Sequence, residues 1–205
     1  MPHPPLLDSQ PFLRSWVRDP VAVGLPFVSS LWTARRLAEV TLRLASPSAG
    51  PILELGAGTG AVTEALLCAG CSPDNAIAVE RDPELCRSLA HRFPGLRVLQ
   101  GDALKLGAVL AQAGISSVGV VLSGLPMRAV PAAKAARCYA DAFARMPPDG
   151  AIVQYTYGLR PPVDPRAADL KLEAKFVGRE WRNLPPVAIW SYRRSESPHA
   201  KRVGT

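Results

Sequence analysis

Several things are scarce in this sequence, and each scarcity closes off a class of protein. No run approaches the roughly 20 consecutive apolar residues that a membrane-crossing helix requires, so an integral membrane protein is excluded. The N-terminus lacks the basic, apolar and small-residue succession of a secretory signal, which makes the cytoplasm the expected address. Cysteine is sparse, with 4 residues, and histidine sparser, with 3. Cys68 and Cys71 form a C-x-x-C pair, yet no second pair or histidine cluster stands nearby, so neither a zinc site nor any other metal is expected. Internal repeats and low-complexity tracts are missing too. The 205 residues supply one sizeable core and too little chain for two. A single domain over residues 21–205 is expected, preceded by a leader at 1–20.

What is abundant is positive charge, +7 overall. Its placement says more than its size. Residues 51–154 hold nine basic and nine acidic side chains, residues 1–50 five against three, and residues 155–205 ten against five. A neutral body with basic flanks suits a polyanionic partner, either nucleic acid or an anionic membrane surface.

Between residues 51 and 156, short apolar runs alternate with helical patterns, the signature of a mostly parallel sheet covered by helices on both faces. The spacing predicts strands at 51–55, 76–80, 96–100, 118–122 and 151–155. Asp82-Pro83 reads as an N-cap followed by proline in the first turn, opening a helix that stops before Phe93-Pro94-Gly95. Pro147-Pro148-Asp149-Gly150 reads as the turn after a helix that begins near Pro131. Two further strands, near 174–179 and 187–192, are close enough to form an antiparallel hairpin at the sheet edge, for seven strands in all.

Ahead of the sheet, Ser29 or Ser30 caps an amphipathic helix reaching about Ala45, with Leu31, Ala34, Leu37, Ala38, Thr41 and Leu44 on its expected inner face. The leader has a pattern of its own. Phe12, Leu13, Trp16 and Val17 make an apolar stripe opposite Arg14, Ser15 and Arg18, until Asp19-Pro20 ends it. A short helix of this kind can lie in the headgroup region of an anionic membrane, with Arg35, Arg36 and Arg43 extending the basic side. Ordinary docking of the leader on the protein's own core is the alternative.

The chemistry centres on Glu54-Leu55-Gly56-Ala57-Gly58-Thr59-Gly60, where the first strand turns into a helix. Glycine permits the tight turn and leaves no side chain between backbone and ligand, so a nucleoside cofactor can lie against the chain. Alone the loop is a weak signal, since Gly56, Gly58 and Ala61 also fit a dinucleotide fingerprint. Three acids shift the balance. Glu54 precedes the loop inside the strand, where burial is costly unless a cation such as a methionine amino group is bound. Glu80 ends the second strand, at the position where an acid holds ribose hydroxyls. Asp102, after the third strand, is placed to accept from an adenine amino group. Helix capping is the plainer explanation for Glu80 and for Asp102 taken singly.

Together these residues resemble the S-adenosylmethionine-dependent methyltransferases built on a Rossmann-like, doubly wound sheet, across most of residues 28–194. The resemblance implies S-adenosyl-L-methionine as cofactor and S-adenosyl-L-homocysteine as its product. It implies a cofactor site drawn from Ser29, Ser30, Glu54, Gly56, Ala57, Gly58, Thr59, Gly60, Glu80, Arg81, Asp102, Ala103, Ser123, Gly124 and Leu125.

After the fourth strand, where that class places its acceptor, stands Ser123-Gly124-Leu125-Pro126. Methyltransferases acting on adenine or glutamine nitrogens usually carry Asn/Asp-Pro-Pro-aromatic there. The departure counts against a nucleobase target, and no nucleic-acid partner is expected. The ribosomal adenine dimethyltransferases, similar across the core, are further expected to need a C-terminal recognition region. A closer resemblance is to the bacterial phospholipid N-methyltransferases. It rests on Glu54 to Gly60, Ser123 to Pro126, Gln154-Tyr155-Thr156-Tyr157, Arg182-Asn183-Leu184-Pro185-Pro186 and the leader. It implies successive methylation of phosphatidylethanolamine towards phosphatidylcholine by a peripheral protein on the inner face of the cell membrane.

For such a substrate, Tyr155 and Tyr157 are the catalytic candidates, steering the amine proton and holding methylated ammonium by cation–π attraction. Pro126, Arg179 and Arg182 are the substrate-binding candidates. Arg182 is the favoured phosphate clamp, ahead of Arg179 and Lys175. An RNA or DNA adenine N6-methyltransferase is the alternative.

Overall fold

The computed structural model describes residues 31–45, 50–167 and 170–195. Ser29, Ser30 and the whole leader, including Phe12, Leu13, Arg14, Trp16, Val17 and Arg18, lie outside the described residues.

Buried apolar runs make the middle of the sheet. Strands β1 (Ile52–Leu55), β2 (Ala76–Glu80), β3 (Arg97–Gln100), β4 (Val120–Ser123) and β5 (Ala151–Thr156) are parallel; β6 (Leu172–Glu180) and β7 (Val187–Arg194) are antiparallel to their neighbours. The order is β3-β2-β1-β4-β5-β7-β6, a seven-stranded sheet. β1 and β4 are buried along their whole length, as parallel strands covered on both faces must be. The hairpin is present at the edge, and its return strand β7 is the one that pairs with β5.

Among the described residues five α-helices cover the sheet: α1 (Leu31–Leu44), α2 (Ala61–Cys68), α3 (Pro83–Arg92), α4 (Leu106–Gln112) and α5 (Ala132–Phe143). Asp82 does cap α3, its carboxylate accepting from the amides of Glu84 and Leu85, and Pro83 opens the helix. At the far end of the chain, Arg194 reaches back to the carbonyls of Phe143 and Pro147, tying the last strand to the end of α5. Cys68 is the last residue of α2 and is exposed, Cys71 is buried, and both are free thiols.

One expected face is corrected. α1 buries Thr33, Ala34, Leu37, Ala38, Val40 and Thr41 against α2, β4 and β5, but Leu31 points to solvent and Leu44 is only partly buried. The buried stripe is centred on the small residues Ala34 and Ala38, which let the helix sit close to the sheet. That centring turns Leu31 outward.

The positions that matter for chemistry follow from strand direction. The carboxyl ends of β1, β2 and β4 form one continuous edge, and the strand order reverses between β1 and β4, where open α/β sheets receive ligands. Thr156 at the end of β5 pairs with Ala188 of β7, and Glu180 of β6 with Val187. The turn at 181–186 therefore joins the same edge.

Candidate cofactor cradle and acceptor edge

The glycine loop is held from below. The Gly56 amide donates to the Val79 carbonyl at 2.8 Å, and the Gly60 amide to the Ala57 carbonyl at 2.9 Å. Gly56, Gly58 and Gly60 have φ of 72°, 57° and 83°. These are left-handed values that L side chains adopt at a cost. Their surroundings differ. A Cβ on Gly60 would lie 2.6 Å from the Phe93 ring, and one on Gly56 would lie 2.8 Å from Leu125 Cδ2. On Gly58 it would project into open space.

Glu80 is bound into the same cradle. One oxygen accepts from the Gly58 amide at 2.8 Å, and the other accepts from the amides of Arg81 and Asp82 at 2.7 and 2.9 Å. A carboxylate offers about four acceptor positions, so three amides fix its orientation and leave one on the Gly58 side. Asp102 accepts from the Leu104 amide at 2.9 Å and begins a single 3-10 turn, with Ala103 buried behind it. Its capping role holds that carboxylate at the end of β3. Asp102 thus does cap a turn, whereas Glu80 caps no helix and binds loop amides instead, the α3 cap being Asp82.

Glu54 stands apart. It is buried beneath the loop and accepts from the Thr63 hydroxyl at 2.6 Å, so α2 contributes directly to the cradle floor. Burial pushes its carboxyl up to about 7, with the Thr63 hydroxyl opposing the shift and the nearby Glu80 charge adding to it. An acid raised by burial under a glycine loop responds to positive charge brought to that loop. Thr59 is half-buried, and its carbonyl accepts from the Arg92 guanidinium.

The second wall comes from β4. Ser123 is fully buried and its hydroxyl accepts from the Leu125 amide at 3.4 Å. The Gly124 amide donates to the Leu55 carbonyl at 2.8 Å, and a Cβ on Gly124 would stand 2.9 Å from the Gly56 carbonyl oxygen. Only a glycine lets these two backbones approach so closely. The loops after β1 and β4, 68 residues apart in sequence, are thereby one structure.

Gln154 completes it and was not singled out for any role by the sequence. Buried on β5, it donates through Nε2 to the Leu125 and Tyr155 carbonyls, both at 2.9 Å, while its Oε1 accepts from the Tyr139 hydroxyl at 3.3 Å. The signal available was an amide in an otherwise apolar strand, which a core tolerates only when its polar atoms are paired.

At the end of β5, Tyr155 and Tyr157 lie on one face, as the two-residue strand period requires, with ring centroids 6.3 Å apart and planes at 86°. Burial and the neighbouring Tyr155 push the Tyr157 phenol up to about 12, although it shares a hydrogen bond with Asn183. Asn183 is itself buried. It accepts from the Thr33 hydroxyl at 3.0 Å and donates to the Pro185 carbonyl at 2.7 Å. Tyr157 is thus connected to both α1 and the β6–β7 turn.

The expected phosphate clamps sit further out. Arg182 stacks 4.3 Å from the Trp32 ring and Arg179 lies 5.2 Å from the Trp181 ring, both lining a groove between the hairpin turn and α1. Lys175 pairs with Ser191 in mid-strand, well back from that turn. Arg128, which sequence reasoning missed, is nearer the acceptor edge. A Cβ on Gly158 would meet its guanidinium at 3.0 Å, and beside it opens a cavity of about 240 Å³ lined in part by Met127 and Val163. Pro126 is exposed at the start of the turn that carries Arg128.

No protein-family model matches the chain. The magnesium protoporphyrin IX methyltransferase of Synechocystis PCC 6803, solved with bound S-adenosylmethionine, superimposes with a TM-score of 0.57 over 94% of this chain and all of its own, at 12% identity. The fold is that of the S-adenosylmethionine-dependent methyltransferases. S-adenosyl-L-methionine is the cofactor that goes with this fold, and the residues present fit it: an open glycine face, an oriented acid at the end of β2, a capped acid at the end of β3 and a titratable acid below. Two curated methyltransferases share parts of the sequence. The ornithine lipid N-methyltransferase of Singulisphaera acidiphila is 34% identical over 125 residues, 58% of this chain and 62% of that protein. The ribosomal RNA small subunit methyltransferase A of Synechococcus sp. strain JA-3-3Ab is 34% identical over 111 residues, 52% of this chain and 33% of that protein. The chain therefore spans less than two thirds of either curated relative. The ribosomal relative leaves the expected exclusion of nucleic acid without support.

Proposed function

We propose that this protein methylates the amino group of a phospholipid, with S-adenosylmethionine as donor and phosphatidylethanolamine and its mono- and dimethylated forms as acceptors, leading towards phosphatidylcholine. The observation that carries the reading is the tyrosine pair at the end of β5, joined through Asn183 to an arginine-rich rim. The likeness to an ornithine lipid N-methyltransferase adds support for a lipid amine as acceptor.

The cofactor supplies a methyl group on a sulfonium, and transfer breaks that carbon–sulfur bond as a carbon–nitrogen bond forms and the nitrogen gives up a proton. Such a displacement needs an aligned, uncharged amine and the exclusion of water more than a strong base. Gln154 serves the alignment by fixing the Leu125 carbonyl beside the loop after β1. Tyr157, with its phenol pushed up to about 12, stays protonated at neutral pH. It is an orienting hydroxyl that passes a proton on, and not a resting base. Tyr155 and Tyr157 present two aromatic walls set at right angles, worth roughly 0.5–2 kcal/mol each to an ammonium held against them. Arg128, facing its cavity, and Arg182, on the rim, are the candidate partners for the lipid phosphate. The protein would work as a peripheral enzyme on the inner face of the cell membrane. In keeping with that, no helix among the described residues is long and apolar enough to cross a membrane.

Methylation of adenine in RNA is the second reading, favoured by the ribosomal relative. Against it stands Ser123-Gly124-Leu125-Pro126, which offers no Asn or Asp side chain to a planar nitrogen.

One assay separates them. The protein is incubated with labelled S-adenosylmethionine and, in turn, phosphatidylethanolamine liposomes, ornithine-lipid liposomes and small-subunit ribosomal RNA, and the products are resolved. Label in phosphatidylethanolamine and its methylated forms is the expected result. Label confined to RNA would overturn the lipid reading, as would none in any lipid while calorimetry shows the cofactor bound. Label confined to ornithine lipid would replace the proposed head group.

A further inference from the structure

The first turn of α1 and the turn between β6 and β7 expose side chains that a folded chain normally covers. Leu184 is 87% exposed, Trp181 71%, Leu31 56% and Trp32 45%. They belong to one surface. Thr33 and Asn183 are hydrogen-bonded beneath it, and the Arg182 guanidinium lies 4.3 Å from the Trp32 ring. A groove of about 480 Å³ runs between the two turns, lined by four arginines at positions 35, 36, 179 and 182 against two glutamates at 39 and 180. Glu39 is paired with Arg36 at 3.1 Å, and the Glu180 carboxylate accepts from the Arg182 amide at 2.8 Å. The surface is therefore apolar and cationic at once.

We propose that this face docks the protein on an anionic phospholipid surface, its indoles and leucines entering the interface while the arginines meet lipid phosphates. Two details favour lipid over a nucleic acid. The indoles already have guanidiniums against them, Arg35 and Arg182 at Trp32 and Arg179 at Trp181, which compete with base stacking. Leu184 and Leu31 have no π-face for a base at all, and gain only by leaving water. Tryptophan with neighbouring arginine is the pairing that suits the boundary between hydrocarbon and headgroup, where each ring keeps one apolar and one wet side. Position gives the contact a purpose, and here the inference rests on the lipid reading above. Asn183, between the exposed Arg182 and Leu184, is the residue that hydrogen-bonds Tyr157, so a membrane touching this turn brings headgroups to the acceptor edge. Stable attachment without a membrane span takes two modest contacts acting together, and this face provides one.

The test uses the full chain and Trp181→Ala/Leu184→Ser, with Arg35→Glu as a second variant, in co-sedimentation with phosphatidylglycerol-containing vesicles and with neutral phosphatidylcholine vesicles. Both variants alter exposed side chains, and unchanged thermal melting and cofactor affinity confirm the fold. Wild type is expected to prefer the anionic vesicles, and each variant to bind them about tenfold more weakly. Methylation of a micellar short-chain phosphatidylethanolamine is measured alongside. Loss of vesicle binding with no lipid methylation by any form would sink the substrate reading and leave the docking face standing. Vesicle binding equal in wild type and both variants would overturn the docking face, as would wild-type protein that binds single-stranded RNA and ignores vesicles.

Discussion

At the carboxyl ends of β1 to β3 the candidate cofactor cradle is made largely of backbone. Three glycines at positive φ, amides paired with the Val79 carbonyl and with Glu80, and an acid buried under the loop leave little for side chains to vary. At the carboxyl ends of β4 to β7 the surface is made of side chains instead: an edge-to-face tyrosine pair, a buried asparagine, and arginines stacked on exposed indoles. In one half the polar groups are paired within a stretch of about thirty residues. The other is assembled from α1, β5 and the β6–β7 turn, and its polar contacts cross between segments up to 150 residues apart. A cofactor common to many enzymes needs only the first kind of surface. An acceptor peculiar to one enzyme needs the second.

The sharpest way to break the division is at the place where the two halves touch. Gly124→Ala puts a Cβ 2.9 Å from the Gly56 carbonyl oxygen, a backbone atom held by β1. Separating the loops should weaken cofactor binding by about 100-fold and lower the melting temperature, the effect of strain at a backbone contact with no room to relax. Wild-type affinity in this variant, read by calorimetry, would mean that the halves are independent.

Within the cofactor half, Glu80→Ala leaves three amides without their acceptor. About 1–3 kcal/mol of cofactor affinity should be lost, roughly 5- to 150-fold. Unaltered affinity would place the ribose elsewhere. Gln154→Leu tests the acceptor half, from a residue that reaches the first only through Leu125. It removes the bonds to the Leu125 and Tyr155 carbonyls and should cut turnover about tenfold while cofactor affinity stays put, the signature of lost alignment. Equal losses in both quantities would show that Gln154 is merely structural.

The smallest effect expected is a pH dependence. Glu54 ionises near 7 in the folded protein against an ordinary 4.5, so the folded state holds a proton that the unfolded chain has released. Stability from this group is therefore fully present below about 4.5 and falls as pH rises towards 7, where the buried charge must form. Cofactor binding should run the other way. Its cationic groups favour the ionised acid, and affinity should rise by about threefold between pH 6 and 8. Glu54→Gln should flatten both profiles. A slope in cofactor affinity that survives the substitution would assign it to another group.

Much of the first half was legible without coordinates, because its information is local. A strand, three glycines at alternate positions and a helix occupy consecutive residues, and φ preference alone forces the turn. Asp82 followed by Pro83 fixed the start of α3 in the same way, from two adjacent residues. The acids at strand ends were legible too, and the capping alternative holds for Asp102, but the loop amides that bind Glu80 were not foreseen, since one of them comes from a different strand end. The inward face of α1 was misplaced at Leu31, whose orientation depends on how closely two alanines let the helix approach the sheet. Gln154 passed without a role because two of its partners, Leu125 and Tyr139, lie elsewhere along the chain and meet it only in the fold.

By itself, then, the sequence determined the sheet, its ligand edge and the glycine cradle, since backbone conformation and hydrophobic period are written in neighbouring residues. Tertiary structure alone decided that Asn183 joins Tyr157 to α1, that Arg128 lies over Gly158, and that Trp32 and Trp181 share an exposed basic face. Those contacts depend on distances between segments that meet only once the sheet has formed, and no pattern along the chain encodes a distance across it.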